Sequence, residues 1–486
     1  MLKLKTDVQT LTEREATRTE VKRSAEVTFR PEDEVKKIIS VSATAYLKSV
    51  ETKDRATCAK AQIAFQMIYL AEDGYKKCEG QAETEADIQI EGAIVTVYTD
   101  NARATLSGDG YAVKCSVIFV GQGETPREKT VVTGGEDLIV KQTQIVFDEP
   151  TEVFADDFTV ADEFDLSYSI KSVLSREQTV KVKTMESGVS RVIIGGEICV
   201  ALAVIASDND DLVTVKKNLP FRMEVACPGA MPDGKARGEV SVKRAAYKVY
   251  ADEVKNDCTV QAEIILSAQV AAVNEKKISV AQDAYSLCDE VEIDRERITA
   301  ERLSEVKFKE ERVVATATGD VPDGGKIVGT LGKTVTVFSA DNGAVSGSVK
   351  TDVIFRNADN GTTCVSAEAP FSVEITGEKI HGVRVDCCDL TARIVNGGIE
   401  LEFVLTVNYR VYTVTEAEAI TDVRAKSARN KPTCAISVYL PEKGDELWDI
   451  CKRLGLSEDE ITANNPDLVF PLTGNERIIV YRQKTY

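Results

Sequence analysis

The chain has 486 residues, with 60 Lys and Arg against 79 Asp and Glu, a formal charge of −19 that argues against nucleic acid or an anionic membrane surface as a partner. At roughly 150 residues per domain this length suggests about three or four domains, and 43% apolar residues is enough to give each a core. No run of about 18 apolar residues occurs, and the first twenty residues alternate charge with apolar side chains where an export signal needs an unbroken hydrophobic region, so the sequence reads as cytosolic with no direct membrane insertion.

In chain order, the first elements form a unit that opens on residues 2–8 (LKLKTDV). Its landmark is an apolar strand at 64–70 (AFQMIYL) followed by an acidic turn at 72–74 (EDG), where residues that tolerate positive φ let two strands reverse. A short polar strand, the alternating segment 85–90 (EADIQI), a turn at 108–110 (GDG) and a long alternating strand at 113–119 (VKCSVIF) complete it. The same order returns from residue 138: opening 138–144 (LIVKQTQ), strand 200–205 (VALAVI), turn 208–210 (DND), a short polar strand, then 219–225 (LPFRMEV), turn 255–257 (KND) and strand 260–266 (VQAEIIL). It returns again from residue 287: opening 287–293 (LCDEVEI), strand 353–356 (VIFR), turn 359–361 (DNG), then 369–375 (APFSVEI), turn 396–398 (NGG) and strand 399–405 (IELEFVL). A period of about 140 residues marks duplicated domains rather than a solenoid of short repeats. The predicted fold is therefore mainly β: three tandem β-sandwich or barrel-like units at 1–136, 137–284 and 285–425, the first with its Pro-Phe element degenerated away.

Beyond a polar linker at 424–432 the texture changes. Residues 435–440 (AISVYL) predict a strand, and Leu447, Ile450, Cys451 and Leu454 recur at helical spacing over 447–454 with Asp445 placed to cap them. Ser457 with Glu460 is a capping box for a second short helix, which Pro466 ends, and 476–482 (ERIIVYR) is the closing strand. The order is βααβ over 431–486. Trp448, the sole tryptophan, falls beside the apolar stripe, placed either to anchor a partner or to cap the small core.

Chemistry-bearing patterns are sparse. His381 is the only histidine, expected on a turn, and no CxxC occurs, so neither a catalytic triad nor a metal centre is predicted. The twelve cysteines are expected to be free and mostly buried, with Cys387 and Cys388 sending successive side chains to opposite faces of a strand. Residues 329–334 (GTLGKT) imitate a phosphate-binding loop, but Ile327 stands where its leading glycine belongs and a strand pattern follows instead of a helix. Acidic clusters at 208–211 and 289–290 read as solvated turns. Neither an enzyme nor a cofactor is predicted.

The C-terminal segment, with Gly444-Asp445, Leu447-Trp448 and Ile450, then Asn464-Asn465-Pro466 and the closing Gly474, Arg477-Ile478 and Val480, resembles the LysM domain. That resemblance implies binding of N-acetylglucosamine-containing glycans such as peptidoglycan or chitin, through a groove formed by Gly444, Asp445, Glu446, Leu447, Trp448, Asn465, Pro466 and Leu472. Glu446 departs from the family, which has a small hydroxyl residue there, and a carboxylate at that rim disfavours a sugar. The β repeats resemble the SPOCS spore-coat domain, and the whole order is similar to that of SipL-like spore-coat morphogenesis proteins. This implies a scaffold of the mother-cell cytosol, recruited to the forespore surface, whose partner is a coat morphogenetic ATPase of the SpoIVA type.

Overall fold

The computed structural model describes residues 5–53, 55–207, 212–252, 257–341, 343–358, 361–430 and 436–481. It is mainly β, built from small antiparallel sheets and two short helices. The first six strands, β1 (Thr6–Phe29), β2 (Lys37–Lys53), β3 (Ala56–Ala71), β4 (Gly74–Ile88), β5 (Ile94–Ser107) and β6 (Gly110–Gly135), form two sheets of order β1-β6-β5 and β2-β3-β4. These face each other over one core, in which Ile63, Phe65 and Met67 of β3 meet Val113, Val117 and Phe119 of β6. Alternation accounts for this: every second residue of β3 over 59–71 and of β6 over 113–119 is apolar, and only a face-to-face stack removes both apolar faces from water. Each large side chain so buried stabilises the fold by about 1.5–3 kcal/mol. The sheet edges approach one another, β1 beside β4 and β2 beside β5, so the sandwich is partly closed into a barrel.

The next strands repeat the plan. β7 (Leu138–Pro150) and β8 (Phe154–Leu166) both pair with β13 (Asp257–Ser286), whose other neighbour is β12 (Lys235–Asp252). β9 (Ile170–Gly188), β10 (Arg191–Ala206) and β11 (Leu212–Ala226) make the opposing sheet. Together β7 and β8 stand for the single long β1, interrupted after Pro150. In the third set β14 (Asp289–Asp320), β19 (Gly398–Ala428) and β18 (Lys379–Val395) face β15 (Lys326–Asp341), β16 (Ala344–Arg356) and β17 (Thr362–Glu374).

The recurring Pro-Phe element has a geometric reason. Pro220 and Pro370 lie on edge strands β11 and β17, where a missing N–H breaks no ladder. The following Phe221 and Phe371 stand directly opposite Gly196 and Gly347. A Cβ on Gly347 would lie 2.1 Å from the Thr336 carbonyl oxygen and 2.7 Å from the Phe371 ring; on Gly196 it would lie 2.2 Å from the Lys181 oxygen and 2.8 Å from the Phe221 ring. Gly347→Ala is therefore expected to destabilise the chain by about 1–3 kcal/mol, measured as a lower denaturation midpoint, because backbone and ring must both move.

The long strands run on beyond their own sandwiches as two-stranded ribbons, and the ribbons pack on one another. Leu11 and Val131 from β1 and β6, Ile145, Ile278 and Val280 from β7 and β13, and Ile298, Ala300 and Ala419 from β14 and β19 share one buried cluster. A second shared cluster takes Ile39 and Ile68, then Leu174 and Ile205, then Leu331 and Ile354 from the three sandwiches in turn. A polar layer also joins the sandwiches. Gln269 donates to the Val95 carbonyl at 2.7 Å and accepts from its N–H at 3.0 Å, Arg237 pairs with Glu124, and Arg384 donates to Glu239 at 2.9 Å. Ser40 donates to Asp352 at 2.8 Å, which closes the circuit from the third sandwich to the first.

Several expectations are corrected. The short polar strand and the Pro-Phe segment are one continuous strand, β11 or β17, because each pairs along its whole length with β10 or β16. Residues 424–428 belong to β19 and not to a linker. His381 sits within β18, edge-on to Tyr412 at 5.3 Å, and not on a turn. Residues 329–334 lie in β15, where Gly332 takes a φ of 66° at a bulge and Lys333 pairs with Glu177 at 3.5 Å. The eleven described cysteines are free thiols, seven of them buried. Turn residues 208–210, 255–256 and 359–360 and residues 2–4 lie outside the described residues.

Candidate functional site

The C-terminal segment folds as β20 (Ile436–Tyr439), α1 (Leu447–Leu454), α2 (Glu458–Asn464) and β21 (Ile478–Tyr481), with β20 and β21 antiparallel. Ile450, Cys451, Ile461, Leu472, Ile478 and Val480 form its core. α1 is capped by Glu446, whose N–H donates to the Asp449 carboxylate at 3.1 Å, and not by Asp445. The Asp445 carboxylate is turned inward instead, accepting from the Glu442 N–H and from Arg453, each at 2.8 Å. α2 starts as expected, with the Ser457 hydroxyl accepting from the Glu460 N–H at 3.3 Å and the Ser457 N–H donating to the Glu460 carboxylate at 2.8 Å.

The residues expected to line a groove are partly brought together. Gly444, with φ at 93°, donates its N–H to the Leu472 carbonyl at 2.8 Å, and Leu472 returns a bond to the Asp445 carbonyl at 3.0 Å. The two loops are thus joined by backbone bonds, with Leu472 and Asp445 buried beneath. Asn465 is bound to β21: its amide donates to the Ile479 carbonyl at 2.8 Å and accepts from the Ile479 N–H at 2.7 Å. Glu446 and Pro466 are exposed. Leu447 and Trp448 are half-buried against the core.

Trp448 is engaged by the chain itself. Its indole N–H donates to Asp283 of β13 at 2.8 Å, and its ring meets Tyr285 edge-on at 5.0 Å between centroids. Lys452 donates to the same carboxylate at 2.6 Å, and the fully buried Tyr285 hydroxyl donates to the Leu456 carbonyl at 2.8 Å. A register shift between Ala281 and Asp283 aims this carboxylate at α1. From the other side Arg429 donates to the Lys452 and Arg453 carbonyls at 2.9 and 3.2 Å, satisfying open carbonyls at the end of α1. Burial by itself raises the Asp283 pKa, but the hydrogen bonds from Lys452 and Trp448 outweigh it and hold the carboxyl below its ordinary value. A depressed pKa gives a stabilisation present above the unfolded-state value and lost as pH falls through the folded-state value. On acidification, Trp448 fluorescence is expected to shift only below the ordinary aspartate range, and Asp283→Asn to abolish that transition.

The opposite face of the module is uncovered. Ile436 stands across from Tyr481 and Val438 across from Ile479, and these four with Leu440 are 39 to 68% exposed. The intervening Ile478 and Val480 point into the core, so the open face is apolar by alternation. Sequence reasoning missed this face. The signal was there: 436–440 and 478–481 are apolar at nearly every position, where a strand with one solvated face alternates.

Among the described residues no group of three or more His, Cys, Asp or Glu side chains is arranged to hold a metal, and no helix is long and apolar enough to cross a membrane. Set against known protein families, curated proteins and solved structures, the chain finds no match.

Proposed function

We propose that the chain is a non-enzymatic scaffold of spore-coat assembly, acting in the mother-cell cytosol at the forespore surface. Its LysM-like C-terminal module binds a coat morphogenetic ATPase of the SpoIVA type. One observation carries this reading: the module seats its Trp448 face on β13 and leaves an apolar face of two cross-strand pairs open. Apolar residues clustered on a rigid pair of strands are the usual centre of a protein interface, and a contact surface for sugar would call for exposed polar groups beside the rings. The shared clusters and the polar layer fix the rest of the chain as a frame that carries the module.

The test is binding of the full chain to a purified SpoIVA-type ATPase. Val438→Glu and Ile479→Glu should each weaken the complex by about 2 kcal/mol or more, with the fold unchanged by circular dichroism. Unchanged binding by both variants would sink the proposal. Retention of the full chain on insoluble peptidoglycan, competed by chitin oligomers, would favour glycan recognition in its place.

A further inference from the structure

Cys199 of β10 and Cys388 of β18 belong to different sandwiches, yet they face each other. The Thr179 hydroxyl of β9 donates to the Cys387 carbonyl at 3.2 Å, and Lys216 of β11 donates to the Leu390 carbonyl at 3.0 Å. These two bonds bracket Cys388 and pin its strand to the second sandwich. Strand alternation then divides the neighbouring thiols: Cys387 enters the core of the third sandwich, and Cys388 points out of it toward Cys199, whose register partner on β9 is the same Thr179. Both thiols are buried, but Cys199 borders a cavity of about 40 Å³ that it shares with Lys216, Lys333, Glu177 and Asp389. That is room for a molecule of two heavy atoms.

The electrostatics single out one sulfur. Burial pushes the Cys115 thiol up to about 11 and the Cys364 and Cys387 thiols up to about 12, which leaves them unreactive. Cys199 moves the other way: the neighbouring Cys388 thiol, with Lys181 and Lys333 adding positive charge, holds its thiol below the ordinary value against the effect of burial. Cys388 is pushed up.

We propose that Cys199 and Cys388 form a redox-modification site at which hydrogen peroxide closes a disulfide between the second and third sandwiches. The Cys199 thiolate attacks one peroxide oxygen and the O–O bond breaks, giving a Cys199 sulfenic acid and a hydroxide that leaves as water with the proton released by the Cys199 thiol. The Cys388 sulfur then attacks the sulfenyl sulfur. The S–S bond forms, the S–O bond breaks, and the hydroxide leaves as a second water with the Cys388 proton. Two thiols lose two electrons and one peroxide becomes two waters.

The experiment treats the folded full chain with about one equivalent of hydrogen peroxide, blocks remaining thiols, and maps disulfides by mass spectrometry without reduction. The cross-linked peptide pair containing Cys199 and Cys388 should dominate, disappear on treatment with dithiothreitol, and fall at least tenfold in Cys388→Ser. That variant should accumulate Cys199 sulfenic acid, captured by dimedone. Should that variant fold poorly, the wild-type map decides alone. Cys199 and Cys388 both remaining alkylatable while the exposed Cys288 oxidises, or Cys199 joined to any other cysteine, would overturn the proposal.

Discussion

Arg237→Ala is expected to cost about 3–5 kcal/mol of stability, because it strands a buried carboxylate where the sandwiches meet. Arg237 of β12 is nearly fully buried and pairs with Glu124 of β6, whose other cation, Arg14, lies 4.0 Å away. The effect is one of desolvation: Glu124 cannot regain water without the ribbons separating. The double replacement Arg237→Met with Glu124→Leu should then cost far less than Arg237→Ala, because no charge is left unpaired. Urea unfolding of the single and double variants measures both. Equal losses would mean that packing volume, not charge, holds the layer.

Tyr285→Ala is expected to cost about 3–5 kcal/mol and to release the C-terminal module from β13. The ring is fully buried, it meets Trp448 edge-on, and its hydroxyl supplies the Leu456 carbonyl with its donor. Tyr285→Phe keeps the ring and loses one hydrogen bond, about 1 kcal/mol, and should leave the module docked. Since Trp448 is the only tryptophan, its emission reports the joint directly: Tyr285→Ala should shift it to the red, and Tyr285→Phe should not. Limited proteolysis should free a fragment of about fifty residues from Tyr285→Ala much faster than from the parent chain.

Much of the β architecture was legible because alternation has a period of two and acts within a few residues. The strands containing 113–119, 260–266 and 399–405 bury alternate side chains as their sequence demands. The helix over 447–454 and the Ser457–Glu460 box were equally local signals. What could not be read was set by contacts distant in sequence. Nothing near Trp448 announces Asp283, 165 residues earlier, and nothing near Asp445 says that Arg453 will draw its carboxylate inward and leave the cap to Glu446. His381 lies in a strand and not a turn because the φ of 65° at the neighbouring Gly382 is absorbed in a register shift of β18. Cys199 and Cys388 meet only because the second and third sandwiches pack together.

The most direct measurement of the central claim, that the open face of β20 and β21 receives a protein partner, is amide hydrogen exchange on the full chain with and without a SpoIVA-type ATPase bound. Protection should rise at residues 436–440 and 478–481 and stay unchanged at 444–448, where Trp448 is already seated against β13. Protection confined to 444–448 and 465–472, with 436–440 unchanged, would contradict it.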